Sequence, residues 1–321
     1  MKMKLIDLHC DTAFMMSISK EPVELRKNNL CVDLERMKQA GSMAQFFASF
    51  LHMKYFDGDF GKAYEAGLTM MRRTKAEMEK NADLIRLATN YNEIMDNNSK
   101  GLMSGILTVE EGGIVDGMME RLEELHREGV RLITLTWNFE NCFGYPNSDD
   151  PEVMKRGLKP FGIEAVEYMN ELGILVDVSH LSDGGFWDVM KYSKKPAVAS
   201  HSNTRRECGH RRNLTDEMIR ALAENGGVSG INFYPAFLSE SGKANIDDLV
   251  RHIVHMYHMG GEEFIAIGTD FDGFEGEVDG LEHMGKMPEF YEALRKRRFT
   301  ESQIEKFCYK NALRVIKDVM K

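Results

Sequence analysis

Apolar runs of strand length recur along the chain, and between them apolar positions fall three and four residues apart. The runs cover residues 4–8, 43–51, 102–108, 131–136, 174–178, 196–200, 227–232 and 264–269. The first intervening helix is 32–41, with Asp33 near its start and Gly41 at its end, and a long helical stretch over 61–98 is broken near Asn81. Further helices are expected at 118–128, 161–172, 185–192, 216–224 and 247–259, and two more, 289–297 and 301–321, finish the chain. Strands separated by helical crossovers predict a parallel sheet, and eight such units are the number that closes a barrel. The expected fold is therefore α/β, a single-domain (β/α)8 TIM-like barrel over residues 1–321 with C-terminal helices. No Pro/Ser-rich spacer or low-complexity run divides it.

Composition narrows the function classes. Of 321 residues 43% are hydrophobic and 29% charged, a globular balance with enough material for a large core. A formal charge of -10 argues against broad nucleic-acid binding, which needs a basic footprint to displace counterions. The one basic block, Arg295 to Arg298, ends a helical stretch, where positive charge suits the dipole. No apolar run approaches the ~20 residues of a membrane span, and the start lacks the pattern of a signal peptide. Five scattered cysteines without CxxC spacing point to a reducing cytoplasm.

Chemistry in such barrels sits at the carboxyl ends of the strands. There the sequence places His9 and Asp11, two residues apart and so on one strand face, an imidazole–carboxylate pincer that suits Zn²⁺ better than Ca²⁺. Cys10 lies between them on the other face and is read as a buried thiol. At the third strand end parity separates two acids: Glu110 shares a face with Thr108, whereas Glu111 shares the apolar face of Leu107 and Val109. Glu110 is therefore the inward candidate. His180, His201 and Asp270 stand at the fifth, sixth and eighth strand ends. Three imidazoles and three carboxylates would thus converge on one mouth. Bare carboxylates so close repel one another, and two Zn²⁺ ions sharing a carboxylate resolve the conflict.

The motifs Ile6-Asp7-Leu8-His9-Cys10-Asp11-Thr12, Val109-Glu110, Thr134-Leu135-Thr136, Asp177-Val178-Ser179-His180, Ser200-His201-Ser202, Arg211-Arg212-Asn213 and Gly268-Thr269-Asp270-Phe271-Asp272-Gly273 resemble those of the renal (membrane) dipeptidase family of the amidohydrolase superfamily, in the same order. The resemblance implies a (β/α)8 barrel, a binuclear zinc site, dipeptide hydrolysis and a homodimer. Carried over by motif, it implies that His9 and Asp11 hold one zinc, His180 and His201 the other, and that Glu110 bridges them. Asp270 becomes the proton carrier, and Arg212 the group that grips the substrate carboxylate, a role for which a guanidinium fork is suited.

One position departs from the pattern. Where many members place a His after Thr-Leu-Thr, this chain has Trp137-Asn138, and an indole offers one N–H and no charge to a developing oxyanion. Trp137 and Asn138 are therefore substrate-facing candidates, as is His210 in the arginine-bearing loop. Asp177 and Asp272 are candidates to orient the histidines. His252, His255 and His258, three apart on one helix, are read as a polar helix edge. Two other readings remain beside the dipeptidase. One is another metal-dependent amidohydrolase acting on lactones or cyclic amides or as a deaminase. The other is a peptide-binding barrel without turnover.

Overall fold

The computed structural model describes residues 3–321. All eight expected strands form: β1 Leu5–Cys10, β2 Ser42–Phe50, β3 Met103–Glu110, β4 Val130–Thr134, β5 Leu175–Asp177, β6 Val198–Ala199, β7 Val228–Ile231 and β8 Ile265–Ile267. They pair in parallel in chain order, and β8 pairs with β1 through Asp7 and Ile267, which closes the barrel. Its interior is filled from every strand, by Ile6 and Leu8, Ala44 and Phe46, Ile106, Leu132, Leu175, Val198, Val228 and Ala266. The same cluster continues into Ala312, Val315, Ile316 and Val319, so the last helix, Asn311–Val319, closes the floor of the barrel. A second, larger cluster lies between the strands and the surrounding helices.

The helix expected at 32–41 is Leu34–Ala40. Asp33 caps it by accepting from the Arg36 N–H, and Gly41 ends it with φ 84, a left-handed conformation open to glycine without strain. The stretch over 61–98 divides further than its periodicity shows. Helix Phe60–Lys80 ends at Asn81, a short strand Ile85–Leu87 pairs beside the start of β3, and Asn90 caps a new helix, Tyr91–Ser99. Helix Thr12–Ile18, directly after β1, was not expected, nor was the small pair of strands Ala244–Asn245 and Val278–Asp279. At the end of the chain the helix from Glu301 passes through one turn of π geometry, Lys306–Lys310, before its last segment.

β1 departs from simple alternation. Against β2 its register runs from Asp7 with Gln45 to Cys10 with Phe47, three residues opposite two. This bulge turns both Leu8 and His9 inward. Below it Asp7 points outward to Gln45 and Thr269, and above it Cys10 points outward and Asp11 inward. The strand therefore supplies core residues low in the barrel and functional groups at its mouth, on the same face.

Candidate active site and metal centre

Six side chains from five strand ends meet at the mouth. His9 Nε2 lies 3.3 Å from Asp11 Oδ2, 3.5 Å from Glu110 Oε2 and 3.7 Å from Asp270 Oδ1. The other oxygen of Glu110, Oε1, lies 3.1 Å from His180 Nε2 and 3.5 Å from His201 Nε2, and those two nitrogens are 3.1 Å apart. The Glu110 carboxylate thus faces two clusters, one through each oxygen. Three overlapping ligand sets result: His9, Asp11 and Glu110; Glu110, His180 and His201; and His9, His201 and Asp270. Both ring nitrogens of His9 and Oδ1 of Asp11 are buried without a hydrogen-bond partner. Orphaned buried lone pairs are costly, and a cation satisfies them. The residues present therefore fit a metal.

Neighbouring side chains hold this arrangement. Asp177 accepts from Ser200 Oγ at 2.6 Å, and that hydroxyl is 2.7 Å from His201 Nδ1, so a carboxylate orients the imidazole through an intervening hydroxyl. Asn138 Oδ1 lies 3.2 Å from His180 Nδ1. Asn232 Nδ2 donates to Asp270 Oδ2 at 2.9 Å. Thr134 donates to Asp177 at 2.7 Å and Thr136 to the His180 carbonyl at 3.2 Å, which gives the Thr-Leu-Thr motif its physical work. Glu111, facing outward, accepts from Asn141 Nδ2 at 2.5 Å and from the Trp137 N–H at 3.2 Å and so anchors the loop that carries Trp137. Gly273 is required: a Cβ there would run into Asp11 Oδ2 and Asp270 Oδ1. Glu111, His180, Asp270 and Asp272 all take left-handed backbone conformations, with φ 90, 66, 62 and 69.

The charges pull one another away from their ordinary values. Burial pushes the Glu110 carboxyl up, but His9, His180 and His201 more than reverse this and hold it well below the usual range. Burial, reinforced by Glu110, raises Asp11 to about 6, and burial raises Asp270 to about 8 despite the opposing His9. His180 is lowered to about 4 by burial and by the neighbouring Arg212.

A cavity of about 310 Å3 opens above these groups, lined by Asp11, Glu110, His180 and Asp270 and by aromatic residues. Trp137 and Asn138 line it. Arg212 is buried behind the lining residue Phe237, with its guanidinium 5.4 Å from that ring. It donates to Ser202 Oγ at 3.2 Å and to the His201 carbonyl at 3.3 Å, and among the described residues its Nε has no partner and no carboxylate lies within ion-pair distance. His210 does not line the cavity. It packs against Phe237 with the rings tilted by 41° and accepts the Arg212 N–H at 3.1 Å, which braces the arginine's turn.

Asp272 does not reach the histidines either. It accepts from Thr12 Oγ1 at 2.6 Å and from the Cys31 N–H at 2.7 Å, tying two loops together. Of the histidine row, His252 is buried and bonded to the Leu238 carbonyl and the Thr204 N–H, His255 pairs with Asp216, and His258 is exposed, so the row is no single polar edge. Residues not singled out in the sequence include Asn232, Ser200 as a link, and the ring-bearing Phe14, Phe50, His52, Tyr234 and Phe237. For Asn232 a signal existed, since the seventh strand also ends on a polar residue. For the rings none did, because each reads as ordinary core.

A closed parallel barrel that gathers imidazoles and carboxylates at its mouth defines a metal-dependent hydrolase of amidohydrolase-like fold. The chain belongs to the membrane dipeptidase family, Peptidase family M19, whose model matches residues 1–321. It is 32% identical, over 98% of its length and 80% of the relative's, to an uncharacterized dipeptidase of Schizosaccharomyces pombe. It is 29% identical, over 90% of its length and 69% of the relative's, to dipeptidase tcpJ of Claviceps purpurea. Among solved structures it is similar to the metallopeptidase dipeptidase AC of the same family, with TM-score 0.90 and 25% identity over 100% of this chain and 99% of that one. A metallopeptidase from Rhodobacter sphaeroides, solved with a phosphinate mimic of the dipeptide L-Ala-D-Ala, shares the fold, with TM-score 0.89 and 24% identity over 99% of this chain and 100% of that one. The protein is a metal-dependent dipeptidase.

Proposed function

We propose that the chain hydrolyses dipeptides with two Zn²⁺ ions, one held by His9 and Asp11, the other by His180 and His201, and both by Glu110. The observation that carries this is the divided carboxylate of Glu110, with Oε2 3.5 Å from His9 and Oε1 3.1 Å from His180. Metal in these positions supplies Lewis-acid chemistry, acidifying a water and polarising a carbonyl. Cations in these positions would favour the ionised form of Asp270, which takes the proton of the attacking water. Asn232 holds its Oδ2, which aims Oδ1 at the cluster beside His9. As the C–O bond forms and the C–N bond breaks, Asp270 returns that proton to the departing amine, acting first as base and then as acid.

Arg212 binds the substrate's terminal carboxylate. A guanidinium removed from water without a carboxylate partner is costly, and an anionic ligand supplies the missing charge. A dipeptide brings such a carboxylate close to its scissile bond, and a long peptide does not. Trp137 occupies the cavity wall where a histidine is usual in the family, so the indole shapes the substrate and does not share the acid–base work.

Metal analysis of the purified protein, followed by release of free amino acids from L-L and L-D dipeptides, tests the reading. Two equivalents of zinc and cleavage of dipeptides are expected. Turnover of a lactone or cyclic amide with no dipeptide cleaved would replace it with the broader amidohydrolase reading. The same reading includes a homodimer, which light scattering tests, and a cytoplasmic setting, which five free thiols support. Among the described residues no helix is long and apolar enough to cross a membrane.

A further inference from the structure

The rings lining the cavity are divided between two sides of the barrel. Phe14 follows β1, Phe50 and His52 end or follow β2, and Trp137 follows β4. They form one continuous wall, with ring centroids 5.0 Å apart for Phe14 and Phe50, 4.8 Å for Phe50 and Trp137, and 4.8 Å for Trp137 and His52. Phe50 meets both Phe14 and Trp137 edge-on, the arrangement ring quadrupoles favour, so the wall is preformed. Arg212 lies in the loop after β6, and Tyr234 and Phe237 follow β7. In the closed ring of eight, β2 stands four strands from β6, directly across the mouth. The part of the wall at the end of β2 therefore stands across the mouth from the loop that carries the buried guanidinium, and Trp137 extends it toward His180.

We propose that this wall is a specificity site for a large apolar side chain on the N-terminal residue of the substrate. The proposal rests on the dipeptidase reading above. With the terminal carboxylate at Arg212 and the scissile carbonyl over Glu110, the only part of a dipeptide that extends to the β1, β2 and β4 side is its N-terminal residue. There it meets Phe14, Phe50 and Trp137, which offer apolar ring surface and no charge, with His52 at the edge, its Nδ1 engaged by the Lys54 N–H at 3.3 Å. A leucine or phenylalanine side chain loses water against these rings. A glycine leaves the surface uncovered. An aspartate sheds its hydration against rings that offer it no counter-charge. A cavity of about 310 Å3 accommodates one such side chain together with the dipeptide backbone, and little more.

The test is kcat/KM of the metal-loaded protein on an X-Ala series with X as Leu, Phe, Gly or Asp, the alanine being L or D. Leu-Ala and Phe-Ala should exceed Gly-Ala at least about tenfold, the scale of discrimination a hydrophobic pocket reaches, with Asp-Ala lowest. Trp137→Ala should cut the Leu/Gly ratio severalfold, and Phe14→Ala, a change at the partly exposed edge of the wall, should do so to a lesser degree. Circular dichroism confirms that each variant is folded. Hydrolysis of all four dipeptides at similar rates, or a Leu/Gly ratio unmoved in both folded variants, overturns the specificity site and leaves the dipeptidase standing. Cleavage of no dipeptide at all overturns both.

Discussion

Glu110 and Glu111 are chemically alike and adjacent in sequence, yet strand parity gives them opposite neighbourhoods. One faces three imidazoles, while the other holds the loop that carries Trp137. That separation was legible in the sequence because a strand's period is two and the flanking residues are strongly apolar on one side only. The supporting polar groups were less so. Ser200 was visible only as part of a motif, because its role depends on Asp177 of a neighbouring strand, a distance no local pattern encodes. Two substitutions separate chemistry from support. Asp270→Asn should lower kcat about 10²–10⁴-fold while metal content stays near that of the parent, the loss expected when a proton carrier is removed. Ser200→Ala breaks the link between Asp177 and His201, and should weaken metal affinity or activity about 10–100-fold. Equilibrium dialysis with inductively coupled plasma analysis measures the first quantity and a dipeptide assay the second. An Asp270→Asn variant with full turnover would remove that residue from the proposed mechanism.

Elements differ in how fully the sequence reveals them. The short capped helix Leu34–Ala40 was legible at both ends because Asp33 and Gly41 act within one turn of the chain. The strand Ile85–Leu87 was not, since three residues carry too little periodicity to be told from the helices on either side. The bulge in β1 was also hidden: Leu8 and His9 both turn inward only because β2 offers two residues to three. Helix Ile246–Gly260 shows the opposite case, a histidine row whose members part company once packed. His252 is lowered to about 4 by burial, against its bond to the Leu238 carbonyl. A folded-state value below the ordinary 6.5 means that the unfolded chain takes up a proton first as pH falls. Its stabilising contribution is therefore complete above about pH 6.5 and is lost progressively down to about pH 4, up to roughly 3 kcal/mol. His252→Gln, which can still donate to Leu238, should flatten that part of the stability curve, as measured by urea midpoints between pH 4 and 7. An unchanged slope would show that His252 titrates normally.

At the scale of the molecule, closure of the barrel was foreseeable because the count of strands was eight and helical stretches stood between successive strands. The floor was not foreseeable, since Ala312, Val315, Ile316 and Val319 have the same pattern as any amphipathic surface helix. Because that helix completes the interior cluster and the larger outer cluster packs on the same strands, the barrel should unfold as one unit, with a single transition in calorimetry of the metal-loaded protein. Two resolved transitions would mean that the unit divides. Metal should matter strongly to the same experiment. Three buried carboxylates share one mouth, and a ligand that binds only the folded state stabilises it by about 2.7 kcal/mol per site at a hundredfold excess over Kd. Exhaustive chelation should lower the melting temperature by several degrees and abolish dipeptide cleavage, with both restored by zinc. Full activity after chelation would refute the proposed metal chemistry.

The left-handed backbone at His180 and Asp270 carries one more consequence. Glycine adopts that geometry freely, whereas each of these side chains holds it at a cost of the order of 1 kcal/mol or more. The turns at the barrel rim are therefore written in residues that catalysis selects and the chain itself disfavours. Drift toward a sturdier, idle protein is downhill at these two positions, and only continued selection for turnover keeps them occupied as they are.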